Sequence, residues 1–124
     1  MSELDAKWRA LVEAGKAEWA PGMRAIGRRN MPDACFRLEE SVPKLMGEWS
    51  QAVPDWSDPA TLGALLGQVR ARWKDPATHA VTGATLTEWS DLGDWHVRGG
   101  LPWTQYGTGD TEAEALLAAL EAAP

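Results

Sequence analysis

Apolar side chains recur at the spacing of one helix face in several stretches of the chain. The clearest case is residues 59–74, where apolar positions fall at i, i+3, i+4, i+7 and i+11: Leu62, Leu65, Leu66, Val69 and Trp73. Asp58 is placed to cap this stretch, and Pro59 suits a first helical position because its missing N–H costs nothing there. These signals predict an amphipathic helix over 59–74.

The N-terminal half carries weaker helical patterns. Ser2 indicates a helix start, and its apolar stripe runs to Trp19 before Pro21 ends the periodicity. A loop and a short helix over 33–40 are expected next. The stretch after Ser41 again has apolar residues on one helix face: Val42, Leu45, Met46, Trp49 and Val53. This half of the chain is therefore predicted to be helical.

From His79 onward the pattern changes to Thr, Val and Trp punctuated by Gly, which favours strands. We expect three of them, over 80–89, 95–98 and 103–108. Thr111 and Glu114 then form a capping box in front of an Ala- and Leu-rich helix that reaches residue 122. A small antiparallel sheet of about three strands covered by helices is an α+β fold.

The segment AVPDWSDP at 52–59 contains two prolines and two aspartates and is the best boundary in the chain. Neither side of it is comfortably large enough to bury its own core. We therefore predict one domain over 1–124, with a helical part at 1–53 and a helix, strands and helix at 54–124.

The chain has twelve basic and eighteen acidic residues, a net charge of −6. Residues 75–124 hold a single basic residue, Arg98, and these acidic ones: Asp75, Glu88, Asp91, Asp94, Asp110, Glu112, Glu114 and Glu121. This balance argues against duplex nucleic acid as a direct partner and favours basic surfaces. A solubilising role of the acidic surface is the simpler alternative.

Cys35 is the single cysteine, which excludes an internal disulfide. The N-terminus carries acidic residues where a signal peptide would be basic, and no apolar run approaches the roughly 18 residues of a membrane span. We expect a cytoplasmic protein of a bacterial cell that does not contact membranes.

No motif predicts catalysis or a cofactor. GTGDTE at 107–112 begins like a dinucleotide-binding loop, but Glu112 replaces the third glycine and acidic residues occupy the helix N-terminus where a pyrophosphate would bind. Cys35, His79 and His96 lack the short spacing of a zinc site. We therefore expect no cofactor, no metal and no enzymatic activity.

Recognition is the remaining class of function. Aromatic residues on a predicted strand beside a histidine and an arginine have the composition of a binding hot spot. Together with the acidic turn before them they define the residues predicted to contact a partner: Glu88, Asp91, Asp94, His96, Arg98, Trp103 and Tyr106.

Three parts of the chain together resemble small proteins of bacteriophages and prophages grouped as the phage ABA sandwich domain. They are the stretch PDWSDPATLGALLGQVRARW, a W-x-V strand and the tail TEAEALLAALEAA. The resemblance covers residues 54–122. It implies an α-β-α layering in which helices cover the hairpin, and it implies no activity of its own.

These observations lead to one functional hypothesis and two alternatives. The first is a phage or mobile-element accessory protein that binds a host protein or nucleoprotein complex through an acidic surface, as an anti-CRISPR-like inhibitor of host defence does. The second is a small-ligand binding protein or modest enzyme that uses His96, Arg98 and Tyr106 on the sheet face. The third is a homodimeric structural phage component with a tryptophan-rich interface.

Overall fold

The computed structural model describes most of the chain, namely residues 2–42, 44–82, 95–99 and 104–124. Internal contacts divide the chain into two compact units, Met1–Ala64 and Leu65–Pro124. The described residues form three α-helices and two three-stranded antiparallel sheets. The α+β fold class predicted from the sequence is therefore confirmed, whereas the single domain over 1–124 stays a prediction.

Helix α1 spans Glu3–Glu13, and its start is capped as expected by the side chain of Ser2. It ends well before Trp19, where the sequence pattern had placed its last turn. The reason is Gly15, which adopts φ +74°, so that its own N–H and that of Lys16 donate to the carbonyls of Val12 and Leu11 in the last turn. Trp19 instead forms an antiparallel bridge with Val42.

The rest of the first unit contains a sheet where loop and helix were predicted. The helices expected over 33–40 and after Ser41 are wrong. The observed elements are β1 over Arg24–Arg28, β2 over Met31–Arg37, a single 3-10 turn over Gly47–Trp49 and β3 over Val53–Pro54.

The helical spacing between residues 42 and 53 has a different origin. Its apolar residues are divided among separate elements: Val42 lies in the bridge, Trp49 in the 3-10 turn and Val53 in β3. Gly47 breaks any continuous helix because its φ is +63°. Val42, Leu45, Trp49 and Val53 are half-buried and Met46 is 78% exposed, so the spacing does not mark one buried helix face.

The sheet of the first unit has the order β2-β1-β3. Ala25 of β1 lies opposite Phe36 on one side and Pro54 on the other. The core beneath it consists of buried apolar side chains from α1, the sheet and the segments between them: Trp8, Leu11, Ala17, Trp19, Met23, Ala25, Leu38 and Ala52. Trp8 packs edge-on against both the buried Trp19 and the half-buried Trp56.

Helix α2 spans Pro59–Trp73, in agreement with the sequence pattern. In the second unit a sheet of order β4-β5-β6 is formed by β4 over His79–Thr82, β5 over Trp95–Gly99 and β6 over Thr104–Gly109. The predicted strand at 95–98 is confirmed. Of the strand expected at 80–89 only the start is described, and the parts at 83–89 and at residue 103 lie outside the described residues.

Helix α3 spans Glu112–Ala122 and packs on this sheet. The predicted cap is confirmed, because Thr111 Oγ1 accepts a hydrogen bond from the backbone N–H of Glu114 at 3.2 Å. Apolar side chains of the helix and the sheet are buried in this unit: Val97, Leu116, Leu117 and Leu120. Among the helices of the described ranges, none is both long and apolar enough to span a membrane.

Candidate functional site

The residues predicted to contact a partner are only partly described. Glu88, Asp91, Asp94 and Trp103 lie outside the described residues. Of the other three, Arg98 is buried, with 9% of its surface exposed. His96 makes a hydrogen bond between its Nδ1 and Oε1 of Gln105 at 3.0 Å.

Tyr106 makes an internal contact. It is an extra residue in β6, because its two neighbours in the strand both have partners on β5 while the register shifts between them. Its ring stacks on Trp73 with centroids 4.2 Å apart, and its hydroxyl donates to Oδ2 of Asp75 at 2.8 Å. That hydrogen bond raises the pKa of Tyr106. The structure therefore does not bring Tyr106 together with His96 on one open face.

The first unit has a more accessible feature, the outer edge of β2. This strand pairs with β1 on one side, and within the described ranges no strand pairs with its other side. On the β3 side, the carbonyl oxygen of Arg24 accepts a hydrogen bond from the backbone N–H of Asp55. On the β2 side, the backbone N–H of Leu38 donates to the carbonyl of Met23. Because the backbone groups of successive residues point to alternate sides of a strand, those of Cys35 and Arg37, three residues and one residue before Leu38, point away from β1. Both residues are exposed.

A groove of about 680 Å³ lies beside this edge. It is lined by residues from β2 and the segment that follows: Phe36, Arg37, Leu38, Glu39, Glu40, Val42 and Leu45. Only Phe36 and Arg37 of these residues belong to β2, so the groove lies at the C-terminal end of the strand and continues along the segment that follows it. We call the backbone edge of Cys35 to Arg37 together with this groove the β2 edge site.

Aromatic and backbone contacts fix the shape of the β2 edge site. The ring of Phe36 packs edge-on against Trp49, with centroids 4.5 Å apart. Val42 is held by the hydrogen bond from its N–H to the carbonyl of Trp19. Both contacts tie the groove wall to elements outside β2, so the groove is built into the folded unit.

The cation in the groove, Arg37, is neutralised from within the first unit. Its two terminal nitrogens donate to the carboxylate of Asp58 at 2.8 and 3.0 Å, and one of them also donates to the carbonyl of Gly22 at 2.7 Å. Asp58 also accepts from the backbone N–H and the hydroxyl of Thr61, and thereby caps α2. One carboxylate thus joins the groove wall to the start of a helix.

These donors, the Arg37 pair foremost, hold the pKa of Asp58 well below its ordinary value. A carboxyl group with a depressed pKa in the folded state adds stability above its unfolded pKa of about 3.9, and that contribution is lost as pH falls below it. We therefore expect Asp58→Ala to lower the free energy of unfolding at pH 7 by about 1–2 kcal/mol, the usual effect of losing an N-cap.

Urea unfolding at pH 7 and pH 3 measures this effect. The difference between wild type and Asp58→Ala is expected to shrink at pH 3, where the wild-type contribution is partly lost. Asp58→Asn keeps a capping oxygen without the charge and is the matched control, so its own stability should change less between the two pH values than that of the wild type. Equal pH dependence in all three proteins would contradict this assignment.

The sequence contained a signal for β2 that the helical interpretation missed. From Asp33 to Leu38 polar and apolar residues alternate, apart from the small thiol of Cys35, which is typical of a half-buried strand. Asn30, with φ +66°, forms the turn between β1 and β2. Asn and Gly are the residues that adopt this conformation most readily.

In the part of the chain that the structure describes, no group of three or more His, Cys, Asp or Glu side chains is arranged to hold a metal ion. Comparison with protein-family models, with curated proteins and with solved structures finds no match to the chain.

Proposed function

We propose that this protein acts by binding another protein through the β2 edge site. The observation that carries the proposal is a strand edge with which no described strand pairs, next to a groove of about 680 Å³ that shares Phe36 and Arg37 with it. An exposed edge supplies main-chain hydrogen bonds to an added strand, and pockets next to it select the side chains of that strand.

Exposed apolar side chains near this edge support protein binding. Met46 is 78% exposed and follows the groove residue Leu45, and Met31 at the start of β2 is 50% exposed. Methionine is flexible and polarisable, and it is frequent on surfaces that adapt to a partner.

The alternative of a small-ligand site on the sheet of the second unit needs free side chains at His96, Arg98 and Tyr106. Tyr106 is engaged by Trp73 and Asp75, and Arg98 is buried. Small-ligand sites use a few convergent polar groups in a concave pocket. The internal contacts of these residues favour the β2 edge site over that alternative.

A finer form of the proposal is an accessory protein of a phage or mobile element that inhibits a host defence complex. It is supported by the resemblance of residues 54–122 to phage proteins and by the net charge of −6, which suits a partner with a basic surface. Its direct test is expression in a bacterium with an active CRISPR system, where phage plaquing should be restored.

Affinity capture tests the general proposal. The tagged full-length chain is used under reducing conditions to retain proteins from a bacterial lysate, in parallel with Cys35→Pro and Cys35→Ser. We expect the wild type and Cys35→Ser to retain one stoichiometric partner. Cys35→Pro should not retain it, because proline removes an N–H that points to the open edge and leaves the pairing with β1 intact.

Far-UV circular dichroism and a thermal melt verify that both variants fold. Retention of the same partner by folded Cys35→Pro would show that binding does not use this edge. A wild-type chain that retains nothing beyond the tag alone would contradict protein binding itself. A homodimer, the third alternative, would be recognised by light scattering at twice the monomer mass.

A further inference from the structure

We infer that the occupant of the β2 edge site is an extended, apolar segment of the partner protein that is flanked by lysine or arginine. This inference rests on the proposed function and specifies the chemistry of the partner. It follows from the charges around the groove, the direction of the backbone groups and the character of the lining side chains.

The charges around the groove are unbalanced. Glu39 and Glu40 are exposed and form no hydrogen bond or ion pair with the described residues. The nearby cations are occupied: Arg37 by Asp58, Lys44 by Glu13 at 3.4 Å, and Arg24, which contacts Cys35, by Asp55 at 3.6 Å. Two unneutralised carboxylates therefore lie at the end of the groove that follows β2, and cationic side chains of a partner would complement them.

The backbone at the edge requires an extended partner. The N–H and C=O groups of Cys35 and Arg37 point outward and are spaced two residues apart, which is the repeat of an antiparallel or parallel ladder. A helix satisfies its own backbone groups and gains nothing from this edge. A strand satisfies them and places alternate side chains toward the groove.

The lining of the groove favours a partner segment that carries apolar side chains next to its lysine or arginine residues. Phe36, Val42 and Leu45 supply its apolar surface, since Leu38 is buried in the core, and a volume of about 680 Å³ lies within the size range of small-ligand sites, about 300–1,000 Å³. The edge of β2 is short, since the strand covers Met31–Arg37 and contains Pro32. A segment of a few residues is therefore sufficient to fill it.

Fluorescence anisotropy with defined peptides tests this inference. The probe is a fluorescein-labelled peptide with the sequence Lys-Lys-Val-Thr-Val-Thr-Val-Lys-Lys. A second peptide has glutamate in place of each lysine, and a third has proline in place of each threonine and cannot form a strand ladder. We expect the full-length protein to bind the first peptide and to bind the other two at least about tenfold more weakly.

Two double variants with the same net charge distinguish the effect of the groove carboxylates on peptide binding from the effect of the protein's overall charge. Glu39→Gln/Glu40→Gln removes the two groove carboxylates, and Glu3→Gln/Glu18→Gln removes two exposed carboxylates that do not line the groove. We expect the groove variant to bind the lysine peptide about tenfold more weakly than the control variant at 50 mM salt. The difference in peptide affinity between the two variants should be smaller at 500 mM salt, because salt screens exposed charges.

Equal binding of the lysine and glutamate peptides would overturn the inference, as would equal affinity of the two double variants. Binding of the proline peptide as tight as that of the lysine peptide would show that the partner does not add a strand. If affinity capture retains a partner that the groove variant still binds normally, protein binding stands and the assigned occupant is wrong. If capture retains nothing and no peptide binds, both proposals fail.

Discussion

Trp8→Ala is expected to lower the free energy of unfolding of the first unit by about 3–5 kcal/mol, the usual cost of removing a large aromatic side chain from a core. Trp8 is 1% exposed and meets the rings of Trp19 and Trp56, with centroids 5.3 and 6.0 Å away. Alanine leaves a cavity between rings that cannot close over it, because Trp56 is also anchored by its Nε1–H to Asp5.

Urea unfolding followed by far-UV circular dichroism measures this loss. Trp8→Phe is the matched control, since it keeps an aromatic ring at the same position and should cost less than half as much. A Trp8→Ala protein within about 1 kcal/mol of the wild type would mean that the tryptophan cluster does not hold the first unit together.

Gly107→Ala is expected to destabilise the second unit by about 2–3 kcal/mol or more, as overpacking does when backbone must move. A Cβ at Gly107 would lie 2.5 Å from the carbonyl oxygen of Ala115 and 2.5 Å from the nitrogen of Ala119. Both atoms belong to the backbone of α3, so no side-chain rotation relieves the overlap. Strand β6 and helix α3 would have to separate.

The control for this substitution is Gly67→Ala in α2. Gly67 has no atom within 4 Å of an added Cβ, and alanine is favoured over glycine in a helix by about 1 kcal/mol. Thermal melts should therefore show a lower midpoint for Gly107→Ala and an equal or higher one for Gly67→Ala. A Gly107→Ala protein as stable as the wild type would contradict the close packing of β6 on α3.

The elements that the sequence predicts best are those in which local signals agree. Helix α2 has a capping aspartate, a proline at its first position and one apolar face, and the structure places it at Pro59–Trp73. Helix α3 has its capping box at Thr111. In both cases the helix start is set by hydrogen bonds within a few residues of one another, which a sequence displays directly.

The first unit was harder to predict because its strands form through pairing between residues that are distant in the sequence. Val42 pairs with Trp19, and Val53 pairs with Ile26. Spacing of apolar residues over 42–53 resembles a helix face although the residues come from separate elements. Local periodicity does not distinguish the two cases, since apolar residues of separate elements also fall at the spacing of one helix face.

The candidate site also depends on contacts between residues that are distant in the sequence. The sequence indicated binding by aromatic and acidic residues near the C-terminus, where the bulge at Tyr106 directs that ring to Trp73 and Asp75. A bulge changes the face of a side chain and has no clear sequence signature here. The β2 edge site was missed because recognising an open edge requires the strand order, which is a property of the whole sheet.

Hydrogen–deuterium exchange tests most directly the claim that a partner binds at the β2 edge. Exchange is compared between the free protein and its complex with the partner retained in affinity capture. We predict slower exchange of the amides of Cys35 and Arg37 in the complex, within a protected segment over residues 31–45, because an added strand would accept their hydrogen bonds. Unchanged exchange over 31–45, with protection confined to other segments, would contradict the claim.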